Sequence, residues 1–219
     1  MNMRKRWIAM FLVVALSAAA NAQSVEELFL KMPEKDLIWL DEEGKKKLIE
    51  EYETSTDTVA EEPYIAFMTD DVLRLEGTKS STMTLWRLPM MNRTYMICRV
   101  MTLLGPAQDS RVDFFTTDWE PLPSEGILPE PEPEDFLIEN ADTTSEDYRE
   151  IRAASDMKLL RYWVSEDEEQ QPILGVMYTT PMYFNKKMSE KAEQFYGKNL
   201  SKIYVWENGR FEEAVYGEE

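Results

Sequence analysis

The spacing of turn residues between positions 64 and 116 constrains the fold of this chain more than any other feature. Short segments rich in β-branched and aromatic residues alternate there with turn material such as Gly77-Thr78-Lys79 and Met91-Asn92-Arg93. The segments are Tyr64–Met68, Val72–Glu76, Met83–Leu88, Thr94–Leu104 and Arg111–Thr116. Parallel strands need crossover connections of about a dozen residues or more. These shorter connections therefore predict an antiparallel meander.

Helical spacing precedes these strands and predicts two N-terminal helices. Ser24 and Glu27 have the spacing of a capping box, and apolar residues recur at positions 25, 28, 29 and 32. Pro33 is expected to end the first helix. The second helix is predicted to run from about Asp41 to Glu53 and to bury Leu48, Ile49 and Tyr52. Both helices are expected to pack on the meander.

A second group of helices and strands follows residue 136. A helix is predicted over Ser145–Ser155, and Asn185 is expected to cap another that stops at Gly197. Asn208-Gly209 lies between two apolar runs, which is the strongest short signal for a β-hairpin. The predicted strands are Lys158–Val164, Ile173–Thr179, Ile203–Glu207 and Arg210–Ala214. The predicted fold class is therefore α+β: N-terminal helices packed on an antiparallel β-meander sheet, with a second similar sheet-and-helix half.

The Pro/Glu-rich segment from Pro121 to Asp135 separates the two groups. Alternating Pro and Glu favours extended polyproline II structure. We therefore expect a connector over the surface that joins halves 23–125 and 136–219 of a single α+β domain. The segment 110–120 resembles 201–212, which is compatible with an ancient duplication but is better explained by two hairpins of generic β composition.

Residues 1–22 have the three parts of a cleavable signal peptide. Arg4, Lys5 and Arg6 form a positive region, an apolar run follows from Trp7 to Ala20, and Ala20-Asn21-Ala22 supplies small residues at the processing site. No later stretch is apolar enough to cross a bilayer, which needs about 20 residues. We therefore expect a periplasmic or secreted protein over residues 23–219 that does not insert into the membrane.

The charge balance restricts the class of partner. The chain has 42 Asp and Glu against 24 Lys and Arg, a net charge of −18. Affinity for nucleic acid comes largely from Lys and Arg that replace counterions on phosphates. Nucleic acid is therefore excluded as an expected partner, and another exported protein or a cell-envelope polymer is expected instead.

The residue types that are missing remove several chemistries. The chain has no histidine, which excludes Ser-His and Cys-His nucleophile pairs and the commonest zinc ligand. Cys98 is the only cysteine, so no intramolecular disulfide forms, and its alternating setting predicts a small buried hydrophobe. The sequence contains no glycine-rich phosphate loop and no EF-hand loop. No cofactor and no metal are therefore expected.

One aromatic residue with acidic neighbours is the best candidate for an interaction site. Trp119 lies between an acidic turn and the Pro-rich segment, which makes it the best candidate for an exposed aromatic residue, with Asp118 and Glu120 beside it. A structural role for Trp119 is nevertheless the favoured interpretation, because aromatic residues usually belong to cores. Other carboxylates near strand ends, including Asp70, Asp71 and Asp113, are candidates for a glycosidase pair. Their spacing does not select a pair, so the catalytic residues are unknown.

The run from Cys98 through Leu122 resembles a family of uncharacterised exported proteins from Gram-negative gut anaerobes. The features that carry the likeness are Cys98, Thr102, Gly105-Pro106, Asp109-Ser110, Phe114-Phe115 and Asp118-Trp-Glu-Pro121-Leu122, with Met32-Pro33, Leu48-Ile49 and Tyr52 earlier in the chain. The resemblance implies a periplasmic or secreted protein and supplies no functional residue. Asp57-Thr58-Val59 also resembles the O-glycosylation triplet of some exported proteins of such bacteria.

Three functions remain open on the sequence. The favoured one is a non-enzymatic protein that binds another protein or a polymer through a sheet face or loops. The second is a carboxylate-dependent hydrolase resembling a glycosidase, and the third is an inhibitor-like module that blocks an exported enzyme through an exposed aromatic loop. The absence of histidine and of any nucleophile or cofactor motif favours the first.

Overall fold

The computed structural model describes residues 23–54, 62–166, 172–197 and 200–214. In these ranges the chain forms four α-helices and two antiparallel sheets, which confirms the α+β class. The predicted signal peptide and the triplet Asp57-Thr58-Val59 lie outside the described residues. No helix in the described part is long and apolar enough to span a membrane.

Sheet 1 is the predicted meander. Its six strands are paired in chain order, each antiparallel to the next. They are β1 (Tyr64–Met68), β2 (Val72–Thr78), β3 (Ser81–Pro89), β4 (Tyr95–Leu103), β5 (Asp109–Thr116) and β6 (Pro121–Leu122). The last strand was not predicted because two residues are too short to show an alternating pattern.

Two helices cover one face of sheet 1, as predicted. Helix α1 (Val25–Lys31) begins after Ser24, whose side chain accepts from the Glu27 N–H at 3.2 Å, and it ends before Pro33. Helix α2 (Glu42–Thr54) follows Asp41, which accepts from the Gly44 N–H at 2.8 Å. Apolar side chains from both helices meet sheet 1 in what we call the N-terminal core: Val25, Leu28, Phe29, Met32, Leu48, Ile49, Leu73, Leu75, Met83, Leu85, Ile97, Phe115 and Trp119.

Sheet 2 belongs to the second half of the chain. Its four strands are antiparallel in the spatial order β10-β9-β8-β7, and helices α3 (Glu146–Ala154) and α4 (Lys186–Tyr196) pack beside them. The strands are β7 (Leu160–Glu166), β8 (Pro172–Tyr178), β9 (Ser201–Glu207) and β10 (Arg210–Glu213). Asn208 and Gly209 have φ values of 51° and 84° and form the predicted hairpin turn.

The other face of sheet 1 packs against sheet 2, α3 and α4 in the inter-sheet core. Its members include Trp86, Leu88, Met96, Cys98, Val100, Phe114, Tyr162, Leu174, Val176, Tyr178, Phe195, Tyr196 and Tyr204. Cys98 is fully buried there between Met96 and Val100, as predicted, and burial raises the pKa of its thiol. Sheet 1 therefore contributes to a core on each of its faces, with alternate residues of β3 and β4 in different cores.

The Pro/Glu-rich connector packs against the inter-sheet core near its C-terminal end. Pro131 and Pro133 are buried, and Phe136 stacks on Tyr178 in the inter-sheet core with ring centroids 5.6 Å apart. The glutamates between the prolines face outward, and Lys158 contacts Glu130 at 2.6 Å and Glu132 at 3.1 Å. Extended backbone turns successive side chains to opposite sides, so the prolines are buried while the glutamates stay in water.

Candidate functional site

A cleft of about 790 Å³ opens where sheet 1 extends beyond the inter-sheet core. Strands β2 and β3 form its floor, and β7, the edge strand of sheet 2, forms its wall. The volume is that of an ordinary ligand pocket. It is therefore the described feature that is best shaped to hold a ligand.

The floor is one face of sheet 1. Strand β2 contributes Val72, Arg74 and Glu76 to it, and β3 contributes Thr82, Thr84 and Trp86, with Arg87 and Pro89 lining the cleft at the end of β3. Every second residue of a strand points to the same face, and the intervening Leu73, Leu75, Met83 and Leu85 enter the N-terminal core on the other side. The floor is polar because sheet 2 does not cover this part of sheet 1.

The wall is the edge of β7. Five consecutive residues, 161 to 165, line the cleft. A strand that offered only one face would contribute alternate residues. The consecutive lining therefore shows that the cleft runs along the outer edge of β7 and meets side chains from both faces of sheet 2.

Aromatic rings lie around the cleft. The Trp163 ring lies directly over Gly175, its partner on β8: a Cβ on that glycine would be 2.1 Å from two indole atoms. Phe67 is 48% exposed at the rim, and Tyr95 lies beneath the Arg87 guanidinium at 4.3 Å. Half-buried aromatic rings of this kind supply contact area for a ligand with little loss of side-chain entropy.

Three arginines line the cleft, and two of them are neutralised by carboxylates. Arg87 contacts Asp71 at 2.6 Å, and Arg74 contacts Glu76 at 2.7 Å. Arg161 lies over the Trp163 ring, 5.9 Å from its centroid, and is not ion-paired with any described carboxylate. Arg161 therefore leaves a net positive charge in the wall, in a chain whose net charge is −18.

Gln108 adds a polar group at the far end of the cleft. Its Oε1 atom is buried and has no hydrogen-bond partner in the described part of the chain. A buried acceptor without a partner costs free energy. A ligand donor that reached this atom would remove that cost.

Trp119 is a buried structural residue, which is the role that the sequence favours. Its side chain is 5% exposed and belongs to the N-terminal core, where its Nε1–H donates to the Leu28 carbonyl at 3.0 Å. Asp118 and Glu120 on either side of it are exposed, and none of the three lines the cleft. The three residues lie in a tight turn, in which Trp119 has φ = 63°. The turn points the aromatic side chain into the core and leaves the two acidic side chains in water. Binding by Asp118 and Glu120 stays a prediction.

The glycosidase candidates are scattered by the fold. Asp71 lies in the cleft, whereas Asp113 is on the opposite face of sheet 1, where Arg99 contacts it at 2.9 Å. Among the described residues no group of three His, Cys, Asp or Glu side chains could hold a metal ion. Neither Trp163 nor Arg161 was singled out from the sequence as a candidate site residue. Their alternation with Leu160, Tyr162 and Val164 was the available signal, since it places them on the opposite face of their strand.

These features define a class of protein: a two-sheet α+β protein with a ligand-sized cleft between one sheet face and one strand edge. The chain belongs to the DUF3256 family, a family of proteins of unknown function, whose model matches residues 17–211. Among solved structures it is similar to a domain of an uncharacterized protein from Porphyromonas gingivalis W83. That likeness has a TM-score of 0.75 and 26% sequence identity, and it covers 89% of this chain and 100% of the other. No curated protein sequence matches the chain.

Proposed function

We propose that this chain is a non-enzymatic binding protein that holds part of another exported protein, or of a cell-envelope polymer, in the cleft between its two sheets. The observation that carries the proposal is the wall of the cleft, where the Arg161 guanidinium lies over the Trp163 ring and no carboxylate of the described residues is paired with it. Aromatic and arginine side chains are the residues that most often dominate binding energy. The proposed location outside the cytoplasm is supported by the pattern of residues 1–22.

The carboxylates of the cleft favour binding over hydrolysis. A glycosidase needs two carboxyl groups that flank the scissile bond, one to protonate the leaving oxygen and one to act as base or nucleophile. Asp71 and Glu76 are both in contact with guanidinium groups instead, at 2.6 Å and 2.7 Å. Each contact engages one oxygen of its carboxylate, Oδ1 of Asp71 and Oε1 of Glu76, and holds the group against a guanidinium.

The inhibitor-like function loses the feature on which it depended. It required an exposed aromatic loop at the centre of a tight complex, and Trp119 was the candidate for that position. Trp119 is instead buried against helix α1. The aromatic binding surface is then the cleft. A cleft is better suited to a ligand that enters it than to an enzyme whose active site this protein would have to block.

A capture experiment with matched variants tests the proposal. The purified protein, Trp163→Ala and Trp39→Ala are each immobilised and exposed to a solubilised envelope fraction of the encoding bacterium. Retained proteins and glycans are then identified by mass spectrometry. Trp39 is 46% exposed and lies on the opposite face of sheet 1, against Gly77, so its variant controls for the loss of an exposed indole.

The expected result is one stoichiometric partner that the wild type and Trp39→Ala retain and that Trp163→Ala loses. Equal retention by all three proteins would place binding outside the cleft. Loss of polysaccharide from the fraction, with nothing retained, would instead support the hydrolase.

A further inference from the structure

We infer that the cleft takes an extended peptide carrying an acidic side chain, which adds to the free edge of β7 as a fifth strand of sheet 2. The inference rests on the proposed function and narrows its ligand to a protein segment. Strand addition at an exposed sheet edge is an established mode of peptide recognition, in which main-chain hydrogen bonds supply affinity and side-chain pockets supply specificity.

The pairing of β7 with β8 shows which backbone groups face the cleft. The Leu160 N–H donates to Asp109 Oδ1 at 3.2 Å, and the Tyr162 N–H donates to Ser110 Oγ at 3.0 Å. Both groups therefore point away from β8. In an antiparallel pair the residues that bond inward alternate with those that bond outward. Val164, the next residue of the same parity, therefore directs its N–H and C=O away from β8 as well.

The outward groups of Val164 are open to a ligand. Val164 lines the cleft, and no described residue donates to or accepts from its outward backbone groups. The first part of the same edge is blocked, because Asp109 and Ser110 already bind the N–H groups of Leu160 and Tyr162. The edge therefore offers a short and defined docking position beside the floor of sheet 1.

The other edge strands, β10, β6 and β1, are protected, whereas the Val164 end of β7 is open to the cleft. Strand β10 is covered, because the Phe211 N–H donates to the Ile127 carbonyl at 2.7 Å. Strand β6 has two residues, and β1 has a register shift between Ile65 and Phe67. Proteins block edge strands by covering, shortening or bulging them, since an open edge pairs with any extended chain. The open part of β7 faces the cleft, so it can pair with a strand that a ligand supplies.

The side chains on both sides of that edge define the ligand. Arg161 and Trp163 lie on one face of sheet 2, so a side chain on that face of an added strand meets an uncompensated guanidinium and an indole ring. Arginine binds carboxylates in a two-pronged geometry. On its other face the added strand lies over the floor, where Thr82 and Thr84 offer hydroxyl groups. The ligand is therefore an extended peptide with an Asp or Glu within reach of the Arg161 guanidinium.

Selection and backbone substitution test this inference together. A phage-displayed library of random linear peptides is selected on the immobilised full-length protein, and the Kd of the best peptide is measured by fluorescence polarisation. Val164→Pro removes the outward N–H of Val164, and no bond to β8 is lost, because that N–H points away from β8 and proline is tolerated at such edge positions. Val164→Ala shortens the same side chain and keeps the N–H, so it is the matched control.

We expect Val164→Pro to weaken the selected peptide about tenfold and Val164→Ala to weaken it much less, as the loss of one main-chain hydrogen bond predicts. N-methylation of the peptide residue that faces Val164 has the same expected effect on the wild-type protein, so the result does not depend on the folding of the proline variant. Arg161→Gln is expected to weaken the acidic peptide and not its Gln analogue.

Two outcomes overturn strand addition and leave the proposed function intact. One is a selection that yields no peptide while the capture experiment finds a ligand that depends on Trp163, since that ligand would be a glycan. The other is a selected peptide whose Kd is unchanged by Val164→Pro and by every single N-methylation. A capture experiment in which Trp163→Ala has no effect would instead overturn the proposed function itself.

Discussion

At the scale of residues, the C-terminal end of α1 is held by side chains from distant parts of the sequence. The last carbonyls of a helix have no partner within it. The Leu28 carbonyl accepts from Trp119, and the Leu30 and Met32 carbonyls accept from the ammonium group of Lys45. Lys45 is 2% exposed, and burial lowers the pKa of its side chain. A buried lysine that was not predicted therefore caps this helix.

Trp119→Ala tests whether Trp119 is a structural residue. We expect the free energy of unfolding to fall by about 3–5 kcal/mol, because the change leaves a cavity against Phe115 and an unpaired Leu28 carbonyl. Urea denaturation followed by circular dichroism measures the loss. Trp163→Ala is the matched control and is expected to cost less, since its ring is half-exposed. A small loss for Trp119→Ala, combined with reduced capture of the partner, would restore it as an interaction residue.

At the scale of elements, the pair formed by β7 and β8 positions the Trp163 ring. Gly175 lies opposite Trp163, and the absence of a side chain there lets the indole lie on the backbone of β8. An aromatic ring over a strand glycine restores the packing that glycine lacks. Gly175 therefore fixes the orientation of the Trp163 ring at the edge of the cleft, although Gly175 itself need not contact a ligand.

Gly175→Ala tests this positioning. Alanine normally stabilises a strand relative to glycine, but a Cβ here would lie 2.1 Å from the ring, so the indole must swing away. We expect a red shift of the tryptophan emission and weaker capture of the partner. In the Trp163→Ala background the same change meets no ring, and it is expected to be neutral or stabilising for folding. Unchanged emission and capture would show that the ring does not depend on Gly175.

At the scale of the whole molecule, sheet 1 serves two cores and ties the halves of the chain together. Arg99, 7% exposed, contacts Asp36 before α2 at 3.1 Å and Asp113 of β5 at 2.9 Å. The inter-sheet core on the other face is rich in buried tyrosine. Burial raises the pKa of Tyr162 and Tyr196, and burial together with the charges of Glu213 and Asp135 raises the pKa of Tyr204 to about 12.

This core predicts alkaline unfolding. A tyrosine in the unfolded chain loses its proton near pH 10, whereas Tyr204 keeps its proton in the folded protein to about pH 12. Between these values the folded state binds more protons than the unfolded state. The free energy of unfolding is therefore expected to fall by about 1.4 kcal/mol per pH unit for each such tyrosine. Urea denaturation at a series of pH values from 9 to 12 measures the slope.

Tyr204→Phe should make the fall of the unfolding free energy with pH less steep by the contribution of one tyrosine. Tyr183→Phe is the matched control and should leave the slope unchanged, because Tyr183 is 52% exposed and keeps its contact with water. A slope that is the same in all three proteins would mean that the buried hydroxyl groups titrate alike in the folded and unfolded states.

Local signals in the sequence determined most of the elements. Ser24, Ser145 and Asn185 each cap the helix they were expected to start, and Gly197 ends its helix with φ = 65°. Each of these signals lies within a few residues of the backbone group it satisfies, so it can be read without the fold. The turns between β1 and β5 are too short for the crossover connections of parallel strands, so they similarly predicted antiparallel pairing.

Contacts between distant segments decided the site. Trp119 follows a strand between two acidic residues, whereas Trp163 lies on a strand among apolar neighbours, so from the sequence Trp119 was the better candidate for exposure. Trp119 is buried because α1 packs on the face to which it points, and Trp163 lines a cleft because sheet 2 leaves part of sheet 1 uncovered. Helix caps and turn lengths depend on nearby residues, and the sequence by itself determined them. Burial depends on which surfaces meet, which here involves residues as far apart as Leu28 and Trp119, and only the tertiary structure decided it.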